Sequence, residues 1–261
     1  MQLIIKTDYQ DMSAFAAELV INRITSANPT PERPFVLGLP TGSTPIGMYS
    51  CLVKAYEDRR ISFRNVVTFN MDEYVGIPEE HPESYHSFMR RNLFDRIDCQ
   101  TSNINILNGN ASDLEAECIS YEEKIASYGG IDLFVGGIGP DGHIAFNEPY
   151  SSFRSRTRIK RLTHDTRLAN ARFFDNNPDL VPEMALTVGV ATVMDAKEVL
   201  ILANGFGKAR ALKEAVEGAV SQSWPITALQ THPHGIIVCD DAATYELKVG
   251  TYRYFKDIEN L

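Results

Sequence analysis

The 261-residue chain is 44% apolar and 23% charged, carries a formal net charge of −9 and contains no low-complexity tract. That acidic balance argues against general nucleic-acid binding, and no apolar run approaches the length of a membrane span. The amino terminus MQLIIKTDYQD lacks the basic and apolar regions of a signal peptide, which predicts a cytoplasmic protein.

Residues 2–6 (QLIIK) predict a short first strand, and Met12, Phe15, Ala16, Leu19, Val20 and Ile24 then recur at helical spacing as far as Pro29. A second apolar run, FVLGL at 35–39, leads directly into Pro40-Thr-Gly-Ser-Thr-Pro45, with Pro45 suited to a helix's first turn. Strand, small hydroxyl loop and helix start together offer N–H groups and hydroxyls to a phosphate. The loop is not a Walker loop, since G-K-[ST] is missing. VVTFN at 66–70 ends in Met71-Asp72-Glu73-Tyr74, which sets carboxylates at a strand's end. Ser84 opens a helical pattern running to Ile97, and Ser112 with Glu115 predicts a capping box for a helix closed by Gly129-Gly130.

Residues 131–148, IDLFVGGIGPDGHIAFNE, are the centre of the chain. An apolar strand breaks into glycines, and Asp141, His143 and Glu148 follow at its carboxyl end, where open α/β sheets bind ligands. A histidine beside two acids can move protons near neutral pH. The run also matches G-x-G-x-x-G, but Pro140 and Asp141 stand where a pyrophosphate needs bare N–H groups, and no amphipathic helix follows. Between Ser151 and Arg172 there are seven Lys or Arg and one acid, Asp165, which points to a small anionic ligand. Arg154, Arg156, Arg158 and Lys160 alternate, so an extended segment there would show four cations on one face.

Ala185–Val190, Val199–Ala203 and Gly235–Cys239 predict three more strands. Lys208 stands at the start of the next helix as a second anion candidate, and a helical tail runs through Tyr254. Four scattered cysteines form no C-x-x-C pair and read as reduced thiols without a zinc site. Alternating strands and helices predict one α/β domain over residues 1–261, a three-layer sandwich with a largely parallel central sheet. The expected site holds Asp72, Asp141, His143 and Glu148, with the hydroxyl loop and Lys208 for an anionic group. That describes proton transfer on a small phosphorylated molecule.

LGLPTGSTP (37–45), VVTFNMDEYVG (66–76), HPESYHSFM (81–89), GGIGPDGHIAFNEP (136–149), SRTRIK (155–160) and ALTVG (185–189) together resemble the glucosamine-6-phosphate deaminase family over nearly the whole chain. The resemblance implies a Rossmann-like fold and conversion of glucosamine 6-phosphate and water to fructose 6-phosphate and ammonia. It makes His143 the group that opens the pyranose, oriented by Asp141 and Glu148, and Asp72 the base at C2. It maps the phosphate cradle onto Gly42, Ser43, Thr44, Arg172 and Lys208, with no cofactor and no metal. It further implies a homo-hexamer with a second site for N-acetylglucosamine 6-phosphate at Ser151, Arg158, Lys160 and Tyr254. Where such family members carry threonine, this chain has Arg161, a longer cation that would strengthen phosphate binding, block it or mimic the activator.

Three other readings compete. A phosphogluconolactonase-like hydrolase would need no base over C2. A sugar-phosphate sensor would need a DNA-binding module, for which the chain has no room before residue 35. A metal hydrolase built on Asp141, His143 and Glu148 would lose activity with chelator.

Overall fold

The computed structural model describes residues 1–259. The chain begins with β1 (Gln2–Lys6), α1 (Tyr9–Ala27), β2 (Phe35–Leu39), α2 (Ile46–Glu57), β3 (Val66–Asn70), β4 (Asp72–Tyr74) and α3 (Tyr85–Asn92). It continues with β5 (Ile104–Asn105), α4 (Leu114–Ser127), β6 (Leu133–Gly137), β7 (Arg158–Arg161), α5 (His164–Asn170) and β8 (Met184–Thr187). Last come α6 (Val190–Met194), β9 (Glu198–Ala203), α7 (Ala209–Glu217), β10 (Gly235–Asp240) and α8 (Val249–Glu259).

Seven strands form one sheet in the order β1-β10-β9-β6-β2-β3-β5, every pair parallel. Strand alternation sends Leu37, Leu133, Leu200 and Val238 into a core with α1 and α2. Their neighbours Val36, Phe134, Ile201 and Ile237 enter a second core with α4 and α7. A sheet buried on both faces needs apolar residues at every strand position, which is why these strands read as unbroken apolar runs. Three layers follow, as expected from the Rossmann-like reading. At Gly38 an added Cβ would lie 2.3 Å from the Phe134 ring, so glycine is what lets these neighbouring strands pack.

Two local expectations need correction. Ala185–Val190 does not join the parallel sheet. β8 instead pairs antiparallel with β4 and β7 in a separate three-stranded sheet. The strand over the alternating cations is shorter than expected: only Arg158 and Lys160 share its face, while Arg154 and Arg156 precede it. Arg156 is held by Asp195 at 2.6 Å instead. A smaller shift concerns α4, whose N-cap is Asp113, accepting from Ala116 N–H at 2.9 Å, rather than Ser112.

The topology places the site. From β2 the chain runs outward through β3 and β5, then returns to β6 on β2's other side. The order reverses there, and the carboxyl ends of β2 and β6 open a crevice. Beyond β3 the chain passes at once into β4, with Met71 N–H donating to the Leu39 carbonyl and Val188 N–H to the Met71 carbonyl. Asp72 thus stands where the two sheets meet.

Candidate active site

A cavity of about 200 Å³ fills the crevice. Its wall includes the hydroxyl loop, Asp72, Tyr74, Tyr85, His143, Arg172 and Lys208. The β6 turn that carries His143 is closed by Gly139 N–H donating to the His143 carbonyl at 2.9 Å and Gly142 N–H to the Gly139 carbonyl at 3.0 Å. An added Cβ at Gly139 would lie 2.1 Å from the His143 ring, so glycine there lets the imidazole lie across the backbone. Gly142 has a positive φ of 81°, open to glycine at little cost.

His143 Nδ1 lies 2.6 Å from Asp141 Oδ1. This close contact holds the ring against the carboxylate. His143 also donates its backbone N–H to the same oxygen at 3.3 Å. Burial works against charge on Asp141, but the His143 contact and backbone amides outweigh it and hold the carboxyl below its ordinary range.

Asp72 has the opposite environment. It is 6% exposed, and burial, reinforced by the charge of Glu73, pushes its carboxyl up from 3.8 to about 8. A proton-accepting group with that affinity is a far stronger base than an ordinary aspartate. Tyr74, Tyr85, Phe146 and Phe174 pack against one another in the same cavity wall.

The remaining wall is cationic. Burial lowers the Lys208 ammonium, and Arg172 lowers it further, partly offset by Asp141. Two cations that oppose each other's charge in a half-buried pocket are a site for an anion. Gly42, with φ 92°, and Ser43 complete that end, and Thr44 donates its hydroxyl to Asn204 Oδ1 at 2.9 Å, tying the β2 loop to the loop after β9. All five residues of the expected cradle therefore line one cavity with Asp72 and His143.

Glu148 is placed differently. Its Oε1 accepts from Thr163 N–H at 3.1 Å, the Thr163 hydroxyl at 2.7 Å and the Thr166 hydroxyl at 2.5 Å, and Oε2 lies 3.4 Å from Lys160. It does not line the cavity. Its effect on the site passes through α5, which carries Thr166, Ala169 and Asn170 in the cavity wall. The carboxylate in contact with the His143 ring is Asp141, not Glu148.

Of the second expected site, Ser151 and Arg158 meet, with Arg158 Nη2 3.5 Å from the Ser151 hydroxyl. Lys160 shares the Arg158 face of β7, whereas Arg161 points to the other and pairs with Glu183 at 3.0 Å while 79% exposed. Tyr254 is 59% exposed on α8 and lines a groove with β1. Sequence reasoning missed Tyr85, Phe146 and Thr166 in the wall. Tyr85 and Phe146 lie within the HPESYHS and HIAFNE blocks, whereas Thr166 lies outside every block and reaches the wall from α5.

Residues 7–238 match the family model for glucosamine-6-phosphate isomerases and 6-phosphogluconolactonases. The glucosamine-6-phosphate deaminase of Porphyromonas gingivalis is 70% identical over 259 residues, covering 99% of this chain and 98% of the other. That of Borrelia garinii is 62% identical, covering 99% and 97%. A solved monomeric glucosamine-6-phosphate deaminase is 40% identical, with a TM-score of 0.89 over 94% of this chain and 99% of that one. The 6-phosphogluconolactonase of Thermotoga maritima, 18% identical with a TM-score of 0.71 over 92% and 98%, shares the fold.

The burial of Asp72 has a signed consequence. The folded chain binds this proton more tightly than the unfolded chain, so the carboxyl's contribution to stability is full below 3.8 and is lost as pH rises toward about 8. Asp72→Asn escapes that loss. Thermal melts of both proteins should give a stability difference that favours the variant, small near about pH 4 and growing to a few kcal/mol, in order of magnitude, by about pH 8.

Proposed function

This chain belongs to the family of glucosamine-6-phosphate isomerases and 6-phosphogluconolactonases, and we infer that its reaction is the isomerising deamination of glucosamine 6-phosphate. The sugar phosphate and water give fructose 6-phosphate and ammonia, a step in amino-sugar breakdown. One observation carries the assignment of roles. A buried, strongly basic aspartate and a histidine face a single cavity whose other end is cationic.

The phosphate rests on Gly42, Ser43, Thr44, Arg172 and Lys208, which fixes the sugar's reach across the cavity. His143, oriented by Asp141, takes a proton from the O1 hydroxyl and returns one to O5, so the ring opens. Asp72 then removes the C2 proton, and its return at C1 converts aldose to ketose. The C2 nitrogen becomes part of an imine that water hydrolyses, releasing ammonia. Two proton-handling groups are needed because O5 and C2 lie apart on the sugar. A lactonase has no use for the second. The relatives that are 62–70% identical and bear the deaminase name support the same choice.

The finer features follow from the same reading. Residues 1–261 act as one catalytic unit, since the site draws on loops from Thr41 to Lys208. Reduced cysteines and a phosphorylated substrate suit a reducing compartment and support a cytoplasmic location. Arg158 and Lys160 form a second anion site for N-acetylglucosamine 6-phosphate, supported by burial that lowers the Arg158 guanidinium without a carboxylate partner among the described residues. Tyr254 joins that site from another copy in a hexamer, since within this chain it lines the groove beside β1.

Coupled ammonia release should fall about 10³-fold in kcat for Asp72→Asn while KM changes less than about threefold. Near-normal release from a folded variant contradicts the role given to Asp72. Adding N-acetylglucosamine 6-phosphate should lower the substrate KM of the wild-type chain and leave Arg158→Ala unaffected. Sedimentation should show a hexamer; a monomer whose substrate curve ignores the additive contradicts the regulatory part.

A further inference from the structure

Glu73 follows Asp72 on β4, and strand alternation turns it away from the cavity that Asp72 and Tyr74 line. It is only 3% exposed. Four donors converge on it. Oε1 accepts from the N–H groups of Tyr74 at 2.7 Å and Tyr85 at 3.1 Å. Oε2 accepts from His86 N–H at 3.1 Å and lies 2.7 Å from His86 Nδ1. A carboxylate oxygen can only accept, which assigns the proton of that contact to Nδ1.

Tyr85 and His86 are the first two residues of α3. N–H groups in a helix's first turn have no partner within the helix, and the dipole there favours negative charge. Ser84 satisfies one of them, accepting from Ser87 N–H at 3.0 Å. Glu73 satisfies two more from a different sheet. The carboxylate therefore joins the strand bearing the C2 base to the helix bearing a tyrosine of the cavity wall.

We propose that Glu73 is a positioning residue of the deamination: with His86 it clamps β4 to the start of α3, fixes Asp72 and Tyr85 relative to each other, and keeps a negative charge beside the base. This rests on the reading of Asp72 as the base. The groups around Asp72 are Tyr49 from α2, Tyr74 on the same strand, Tyr121 from α4 and Tyr85 at the start of α3, with Glu83, His143, Arg172 and Lys208 in the same cavity wall. The tyrosines stay neutral, since burial raises the hydroxyls of Tyr49, Tyr74, Tyr85 and Tyr121. Glu73 is the charge that acts on Asp72 at close range, and it reinforces the effect of burial.

The test follows ammonia release against pH for the wild-type chain, Glu73→Gln, His86→Asn and His86→Leu. The substrate's own titration is common to all four. Glu73→Gln should move the acidic limb of kcat/KM down by about one pH unit and lower kcat about tenfold, with KM within about twofold. His86→Asn, whose side-chain NH₂ can replace the Nδ1 donor, should retain the wild-type profile, whereas His86→Leu should lose at least about threefold in kcat. A folded Glu73→Gln protein with a lower melting temperature but an unmoved limb and kcat overturns the proposal. Should that variant not fold, equal kcat in the two His86 variants overturns it. Failure of the Asp72 reading is separate, since it shows as ammonia release from Asp72→Asn.

Discussion

The site depends on keeping one carboxyl group out of water. Asp72 is buried at the junction of the parallel sheet and the small antiparallel sheet, beside a second carboxylate, and holds its proton to about pH 8. Desolvation makes the charged form expensive, and the same expense makes the group, when deprotonated, a stronger base than an ordinary aspartate. The local cost is borne by the parallel core, where strands buried on both faces supply the burial that a charged pocket cannot. Stability and activity therefore oppose each other at this residue.

Polarity within the cavity is arranged by topology. The β2 loop and the β6 turn diverge at the point where the strand order reverses, and the loop after β9 adds Lys208 above them. Arg172 comes from the segment following α5. The cations gather on one side, and Asp72 enters from the second sheet. His143 sits on a turn that needs glycine at position 139, with Asp141 holding its ring. In the proposed reaction, one end of the phosphorylated sugar is held by these cations while its ring meets two separate proton carriers.

Much of this was legible in the sequence. The parallel strands announce themselves as continuous apolar runs, and the polar residues that follow each run mark the binding edge. β4 was not legible, because Asp72–Tyr74 directly continues β3 and carries no turn signal of its own. β8 looks like another buried parallel strand, and only its long-range partners β4 and β7 make it antiparallel. The alternation from Arg154 to Lys160 suggested four aligned cations, yet Arg156 is drawn to Asp195 before the strand begins. Glu148 is near His143 in sequence, but the hydroxyls of Thr163 and Thr166 claim its carboxylate. Glu73 gave no sign of its role, since three of its four donors belong to a helix that starts twelve residues later.

The most direct test is a titration of the Asp72 carboxyl itself by carbon-13 NMR of aspartate-labelled protein, with Asp72→Asn to assign the resonance. The account predicts a midpoint near 8 for the free enzyme. A midpoint near the ordinary 3.8 would contradict it, because a carboxyl that ionises as it does in water is not the buried base on which this site is built.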